Sequence, residues 1–305
     1  GNYFPIHTDV PNAFRPLRQI ADKFNSLQMG MVAADRIFGI LETESNIEDK
    51  GTFLPTELKG AIQLKKLGFS YLPGEPVLKE ISLDIKAGET IAIVGATGAG
   101  KSTIINLLSR FYEFDSGDIT IDGTSIRSYD LQTLRKHVSV VLQDVFLFAD
   151  SLYNNITLFN PKITRAQVIQ ASKEIGVHDF IQAFPEGYDY NVKERGVMLS
   201  SGQRQLIAFL RAYLSDPTIL VLDEATSSVD SYSEEIIQKA IDTLTKGKTS
   251  IVIAHRLATV KNADRIVVMD QGQIVEVGTH KELLQVTQGH YAKLYEVQFA
   301  DVLSA

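Results

Sequence analysis

The sequence predicts an α/β fold with a parallel-sheet core, an antiparallel β subdomain and an inserted α-helical subdomain, and three patterns point to it. Thr90–Val94, Val138–Leu142, Ile219–Leu222, Ser250–Ala254 and Arg265–Met269 are near-continuous apolar runs, as expected of parallel strands buried on both faces. Ala61–Phe69 and Val77–Ile85 are shorter β-like runs; in the second, Ile81, Leu83 and Ile85 alternate with Ser82 and Asp84, which suits an antiparallel sheet. Between Asp144 and Asp216 the sequence turns mostly helical, so this stretch reads as a subdomain set between two core strands.

Taken in order, residues 11–42 read as one long helix. Phe14, Leu17, Ile20, Phe24, Leu27, Met31, Ala34, Phe38 and Leu41 recur at steps of three and four and so share one face. Such a stripe needs a cover, supplied either by its own domain or by something outside it. Residues 43–60 are polar and acidic, with Gly51 and Pro55, and read as a linker. The α/β part is expected over 61–299, with its helical subdomain over about 144–216, and 300–305 form a short tail.

Composition narrows the classes of function. Apolar residues make up 44% and charged residues 22% of the 305, the balance of an ordinary globular protein. A net charge of -7 and a pI near 5.4 argue against a nucleic-acid partner, because proteins that grip phosphate backbones concentrate Lys and Arg. With no Cys there is neither a disulfide framework nor a thiolate metal site. No run of about 18 apolar residues and no leader pattern is seen, so the chain as given is expected to be soluble.

The chemistry starts at Gly95-Ala96-Thr97-Gly98-Ala99-Gly100-Lys101-Ser102, which fits G-x-x-x-x-G-K-[ST] and lies between an apolar strand and a helical run from Ser102 to Arg110. Glycines let the backbone wrap closely around phosphate oxygens, so that amide N–H groups and a helix N-terminus point at negative charge. Lys101 would add a point charge at the β and γ phosphates, and the Ser102 hydroxyl would ligate Mg²⁺. The core is therefore expected to be that of a P-loop NTPase. Two look-alikes fall away: Thr103 stands where a dinucleotide-type G-x-G-x-x-G needs its third glycine, and Gly247-Lys248-Thr249 leads into a strand instead of a helix, so it reads as a turn.

Ile219-Leu220-Val221-Leu222-Asp223-Glu224 is a buried strand ending in two acids, which puts both at the carboxyl end of the sheet, where such folds bind ligands. Beside a phosphate loop the two acids take different roles: Asp223 holds Mg²⁺, and Glu224 polarises the attacking water as general base.

Leu199-Ser200-Ser201-Gly202-Gln203, about a hundred residues after the phosphate loop and shortly before the acidic strand, resembles the signature of ABC ATPases. The resemblance covers roughly residues 61–299. It implies that Tyr71 stacks on the adenine of ATP and that Gly95 to Thr103 hold its phosphates. It assigns Gln143 to Mg²⁺ and to sensing the membrane domain, Asp230 to the nucleotide site just beyond the catalytic Glu224, and His255 to the γ phosphate. The same resemblance has Ser200, Ser201, Gly202 and Gln203 meet the γ phosphate of a nucleotide held by a second subunit. Outside that context the same residue types serve blander ends: a tyrosine beside a turn packs on the surface, a glutamine caps, a strand-end histidine is held in a core, and a serine is an ordinary N-cap.

Residues 1–42 are similar to the end of the last transmembrane helix in exporters whose membrane and nucleotide domains are fused. The resemblance thus implies the C-terminal part of a half-transporter, with ATP and Mg²⁺ as cofactors. Its partners would be a second nucleotide-binding domain and the transmembrane domain of the same polypeptide, with no nucleic acid. It would work at the cytoplasmic face of the cell (inner) membrane as part of an integral membrane protein. Ser201 where the signature usually has glycine, Lys193 before Glu194-Arg195-Gly196, and Ser228-Val229 in place of Ala-Leu are the departures. A soluble ABC ATPase acting on nucleic acid or ribosomes is the competing reading; the acidic pI and the exporter-like start oppose it. Glu224 beside Asp223 opposes a regulator that binds nucleotide without turnover.

Overall fold

The computed structural model describes residues 6–43, 47, 49–223, 231–254 and 257–303. The chain divides into two compact units, Gly1–Glu48 and Asp49–Ala305. The first is built on a single helix, α1 (Ile6–Leu41), which begins five residues ahead of the expected start and carries Pro11 and Pro16 within it. Its apolar stripe is exposed from Phe14 through Ile20, Phe24 and Leu27 to Phe38. No helix among the described residues is long and apolar enough to cross a membrane.

The second unit begins with part of the expected linker, and that part is tied down. Phe53 N–H donates to Ser128 O (2.9 Å), Asp130 N–H donates back to Phe53 O (3.2 Å), and the Phe53 ring meets the buried Tyr129 edge-on.

Two sheets follow. The antiparallel sheet contains β1 (Ile62–Ser70) and β2 (Pro76–Ile85), as the sequence suggests, together with β4 (Ser116–Ile121) and β5 (Thr124–Ser125), in the order β2-β1-β4-β5. The larger sheet contains β3 (Thr90–Gly95), β6 (Val138–Val141), β7 (Ile219–Asp223), β8 (Thr249–Ile253), β9 (Arg265–Asp270) and β10 (Gln273–Gly278). Its order is β10-β9-β3-β8-β7-β6; β9, β3, β8, β7 and β6 run parallel, and β10 closes one edge antiparallel to β9. Gly247, between α8 (Ser231–Thr245) and β8, lies in a turn at φ 75°.

The continuous apolar runs make sense once the sheet is seen to divide two cores. Successive strand residues point to opposite faces. Ala92, Val94, Leu220, Leu222, Val252 and Val268 therefore pack with the helices on one side. Ile91, Ile93, Ile219, Val221, Ile251, Ile253 and Met269 pack with the antiparallel sheet and with α2 (Lys101–Leu108) on the other. Neither face is left to water, so no polar alternation survives in the sequence.

After α3 (Leu131–His137) and β6 comes the helical subdomain: α4 (Leu152–Thr157), α5 (Arg165–Glu174), α6 (His178–Gln182) and α7 (Ser201–Ser215). Ser151, Thr164 and Ser200 cap α4, α5 and α7 through their hydroxyls, and Gln167 and Gln203 complete capping boxes for the last two. Beyond α8 and β8 lie α9 (Leu257–Asn262), α10 (His280–Leu284) and α11 (His290–Leu303).

One buried side chain ties the loop after β6 to two helices. Asn155 on α4 is fully buried; its Oδ1 accepts from Phe148 N–H (2.8 Å) and its Nδ2 donates to Phe148 O and Ser151 O, each at 3.0 Å. From α7, Arg211 donates to Asn155 O (2.7 Å), Asn155 Oδ1 (3.2 Å) and Phe146 O (3.0 Å). Burial lowers the Arg211 pKa to about 10. Replacing Asn155 by Ala strands several of these groups without water, so Asn155→Ala should cost about 2–4 kcal/mol of stability, read as a lower urea midpoint at unchanged slope.

Candidate functional site

The parallel register sets the strand ends at one edge. Ile93 pairs with Ile253, Asp223 with Ile253, and Leu222 with Val141, so the chain leaves β3, β6 and β7 on the same side of the sheet. The segments that follow those strands are the ones singled out from sequence.

β3 ends in the candidate phosphate loop, residues 95–102. Gly95 has φ 154°, and a Cβ there would stand 2.2 Å from Met269 O. Only a residue without a side chain lets the loop leave the sheet so close to β9. Gly100, at φ 97°, caps α2 in the left-handed region, and the turn between is closed by Ala99 N–H donating to Ala96 O (3.2 Å). Lys101, 9% exposed, donates from Nζ to Gly95 O and Ala96 O, each at 2.8 Å. Its ammonium therefore lies across the mouth of the loop instead of in bulk water. Burial lowers its pKa from the ordinary lysine value, while the Asp223 carboxylate pulls in the opposite direction.

Ser102 and Asp223, 121 positions apart, meet here: the serine hydroxyl donates to Asp223 Oδ2 at 3.3 Å. A hydroxyl and a carboxylate oxygen are hard donors, the kind Mg²⁺ accepts when water and substrate phosphates fill its other positions. Gln143 lies two residues past the end of β6 and is exposed. The loop it opens also carries an exposed aromatic patch. Phe146 and Phe148 meet edge-on at 5.2 Å and Phe148 and Phe159 at 5.8 Å, and Leu142, Phe146, Phe148, Leu158 and Arg211 line a groove of about 400 Å³.

Tyr71 follows β1 and stands over α2: its hydroxyl donates to Thr103 Oγ1 (3.3 Å) and accepts from Asn106 Nδ2 (3.1 Å). Its ring is 44% exposed and meets the rings of Phe69 and Tyr112 edge-on. Sequence reading missed Asn106 and Tyr112. Helical spacing would have found the first, because Asn106 lies three residues past Thr103 and so on the same face of α2.

Thus Tyr71, the residues from Gly95 to Thr103, and Asp223 are joined by direct contacts, with Gln143 at the same sheet edge. The Ser200–Gln203 run is placed differently, at the start of α7. Ser200 N–H donates to Gln203 Oε1 (2.9 Å) and Gln203 N–H to Ser200 Oγ (3.2 Å), so both side chains are engaged within their own helix. Ser200 and Ser201 are exposed and Gly202 is buried. Glu224, Asp230 and His255 lie outside the described residues.

Residues 78–227 match the family described as "ABC transporter". The chain is 44% identical over 285 residues to a protein of Bacillus subtilis named "Probable multidrug resistance ABC transporter ATP-binding/permease protein YheH", covering 93% of this chain and 42% of that protein. It is 43% identical over 303 residues to an ATP-dependent lipid A-core flippase of Hahella chejuensis, covering 99% of this chain and 52% of the flippase. The chain thus spans about half the length of the curated relatives it matches. Among solved structures it is similar to a bacterial Atm1-family ABC exporter with ATP bound, with a TM-score of 0.81 and 35% identity over 94% of this chain and 50% of that one.

The two glycines of the loop should respond differently to a methyl group. At Gly95 it meets backbone that cannot retreat, whereas at Gly100 the nearest atom is Leu78 Cδ2 at 2.7 Å, the end of a side chain that can turn. Gly95→Ala should destabilise the ligand-free protein by about 3 kcal/mol, and Gly100→Ala by about 1–2, mostly for its left-handed φ. Urea titration of the two variants measures the difference.

Proposed function

The chain carries the ATPase domain of the ABC transporter family, and from that premise we propose that it hydrolyses ATP with Mg²⁺ to drive export of a substrate across a membrane. The observation that carries the reading is the meeting of Lys101, Ser102 and Asp223 at the exit of β3 and β7. That is one cation for the phosphates and two oxygen donors for a metal, brought together from the start of α2 and the end of β7.

In this reading the loop amides from Gly95 to Thr103 and the Lys101 ammonium hold the phosphates, Tyr71 takes the adenine, and Ser102, Asp223 and Gln143 hold Mg²⁺. When bound, the Mg²⁺ draws off negative charge from the β and γ phosphate oxygens. Glu224 accepts a proton from water as its oxygen attacks the γ phosphorus, and the bond from phosphorus to the β–γ bridging oxygen breaks. His255 contacts the γ phosphate, and Asp230 completes the site beyond Glu224.

A second nucleotide-binding domain is the proposed partner. Ser200, Ser201, Gly202 and Gln203 lie at the start of a 15-residue helix whose capping box takes up the amides of Ser200 and Gln203 and leaves those of Ser201 and Gly202 for an acceptor outside the helix. They would close over the γ phosphate held by the other subunit, and the two chains would pair head to tail. The other proposed partner is the transmembrane domain of the same polypeptide. The aromatic groove lined by Leu142, Phe146 and Phe148, on the loop that Gln143 opens, would give it an apolar seat, and α1, with its exposed apolar stripe, would be the end of that domain. The protein would then work at the cytoplasmic face of the membrane.

Lys101→Ala should weaken ATP binding by about 10- to 100-fold, since a charge-assisted contact is lost from a buried site; calorimetry with unchanged affinity would remove the phosphate-loop assignment. Glu224→Gln should keep affinity, lower turnover by about 10²- to 10⁴-fold and let an ATP-bound dimer accumulate on size-exclusion chromatography at high protein concentration. Adding Ser200→Arg should abolish that dimer and spare ATP binding by the monomer. A dimer indifferent to Ser200→Arg would take the signature out of the interface.

A further inference from the structure

We propose that Asn106 is a positioning residue for the adenine platform: it holds the Tyr71 phenol in place, so that helix α2 sets the distance from base to phosphates. The proposal rests on the reading of Tyr71 as that platform.

Tyr71 leaves β1 at the start of the bend that leads to Gly74 and β2, and a ring on such a bend has little from its own backbone to fix its torsions. Two aromatic contacts restrain its body. The Phe69 ring lies 4.7 Å away at 86° and the Tyr112 ring 5.0 Å away at 90°, both edge-on. These contacts leave the phenol end to be held by something else. Asn106 Nδ2 donates to the Tyr71 hydroxyl at 3.1 Å, and that hydroxyl donates onward to Thr103 Oγ1 at 3.3 Å.

Both anchors stand on α2, one turn apart, and α2 is the helix that opens with Lys101 and Ser102. The platform is therefore pinned to the element that carries the phosphate ligands, and the bend itself does not decide where adenine sits. Stacking tolerates sliding of the base, but simultaneous contact at both ends of ATP does not. Fixing the ring in advance lowers the ordering that binding must otherwise impose. Asn106 is half-buried, belongs to neither apolar core and lies inside a helix where Ala is well accepted, so its removal tests the contact without undermining the fold.

The test uses the 305-residue chain with Mg²⁺. Isothermal calorimetry is run on Asn106→Ala, Tyr71→Phe, their double variant and Tyr71→Ala, against ATP, ADP and inorganic tripolyphosphate. Asn106→Ala should weaken ATP and ADP alike by about two- to tenfold and leave tripolyphosphate unchanged. Tyr71→Phe, which keeps the ring and removes the hydroxyl with both its bonds, should weaken both nucleotides at least as much, and the double variant should be no weaker than Tyr71→Phe alone, because the Asn106 bond ends on that hydroxyl. A drop in tripolyphosphate affinity would mean that Asn106 acts on the phosphate loop, and additive losses would mean that it acts without Tyr71; either overturns the proposal. Full ATP affinity in Asn106→Ala beside weakened binding in Tyr71→Ala overturns it as well while leaving the platform intact. Unchanged affinity in Tyr71→Ala removes the platform itself.

Discussion

At the exit of β3 the backbone of Gly95 passes so close to Met269 O that a side chain would stand 2.2 Å from it, and the geometry of the site follows from that approach. Because the loop leaves the sheet pressed against β9, it turns within a few residues and delivers Lys101 and Ser102 to the first turn of α2. The ammonium then bridges the carbonyls of Gly95 and Ala96, and Ser102 comes within reach of Asp223 on β7, with β8 lying between β3 and β7. A bulkier residue at Gly95 would push the loop outward and separate the cation from the carboxylate. A close backbone approach, rather than any single strong bond, places the charges.

Rigidity behind that edge comes from a sheet shared by two cores. The apolar residues of β3, β7 and β8 alternate between the two cores, so a strand cannot shift without disturbing both. The segments after the strands are less constrained, and the molecule ties them individually. Arg211 and Asn155 bind the loop that Gln143 opens to α7 and α4. That tie joins the loop directly to the helix whose first residues are Ser201 and Gly202.

Most of this was legible in the sequence for a physical reason: parallel strands buried on both faces leave continuous apolar runs, and a phosphate loop restricts residue type at four of eight positions. The elements that escaped notice lack such signals. Strand β4 starts with Ser116, Gly117 and Asp118 and carries only Ile119 and Ile121 as apolar residues, so it reads as loop until β1 pairs with it. β10 alternates half-exposed with exposed residues and owes its place to the antiparallel edge of β9. Helix α1 starts before Pro11, where a prolyl residue would ordinarily mark the first turn. Asn106 offered only its helical spacing from Thr103, because its role depends on a tyrosine 35 positions earlier. Contacts between distant positions are set by the tertiary fold, which periodicity does not carry.

Two helix N-termini, at α2 and at α7, use opposite devices for the same donors. Gly100 opens α2 with no side chain at all, leaving the first amides and Lys101 to face the loop. Ser200 opens α7 with a capping box that accounts for the amides of Ser200 and Gln203, and Arg204 N–H donates to Ser200 O. The amides of Ser201 and Gly202 are the ones this arrangement leaves for an acceptor outside the helix. Ser201 changes the side chain at the usual glycine of the signature but not the amide, and the capping box keeps both amides aimed along the helix axis. A serine is therefore compatible there with anion binding by backbone, which is the role the proposed head-to-tail pair asks of it.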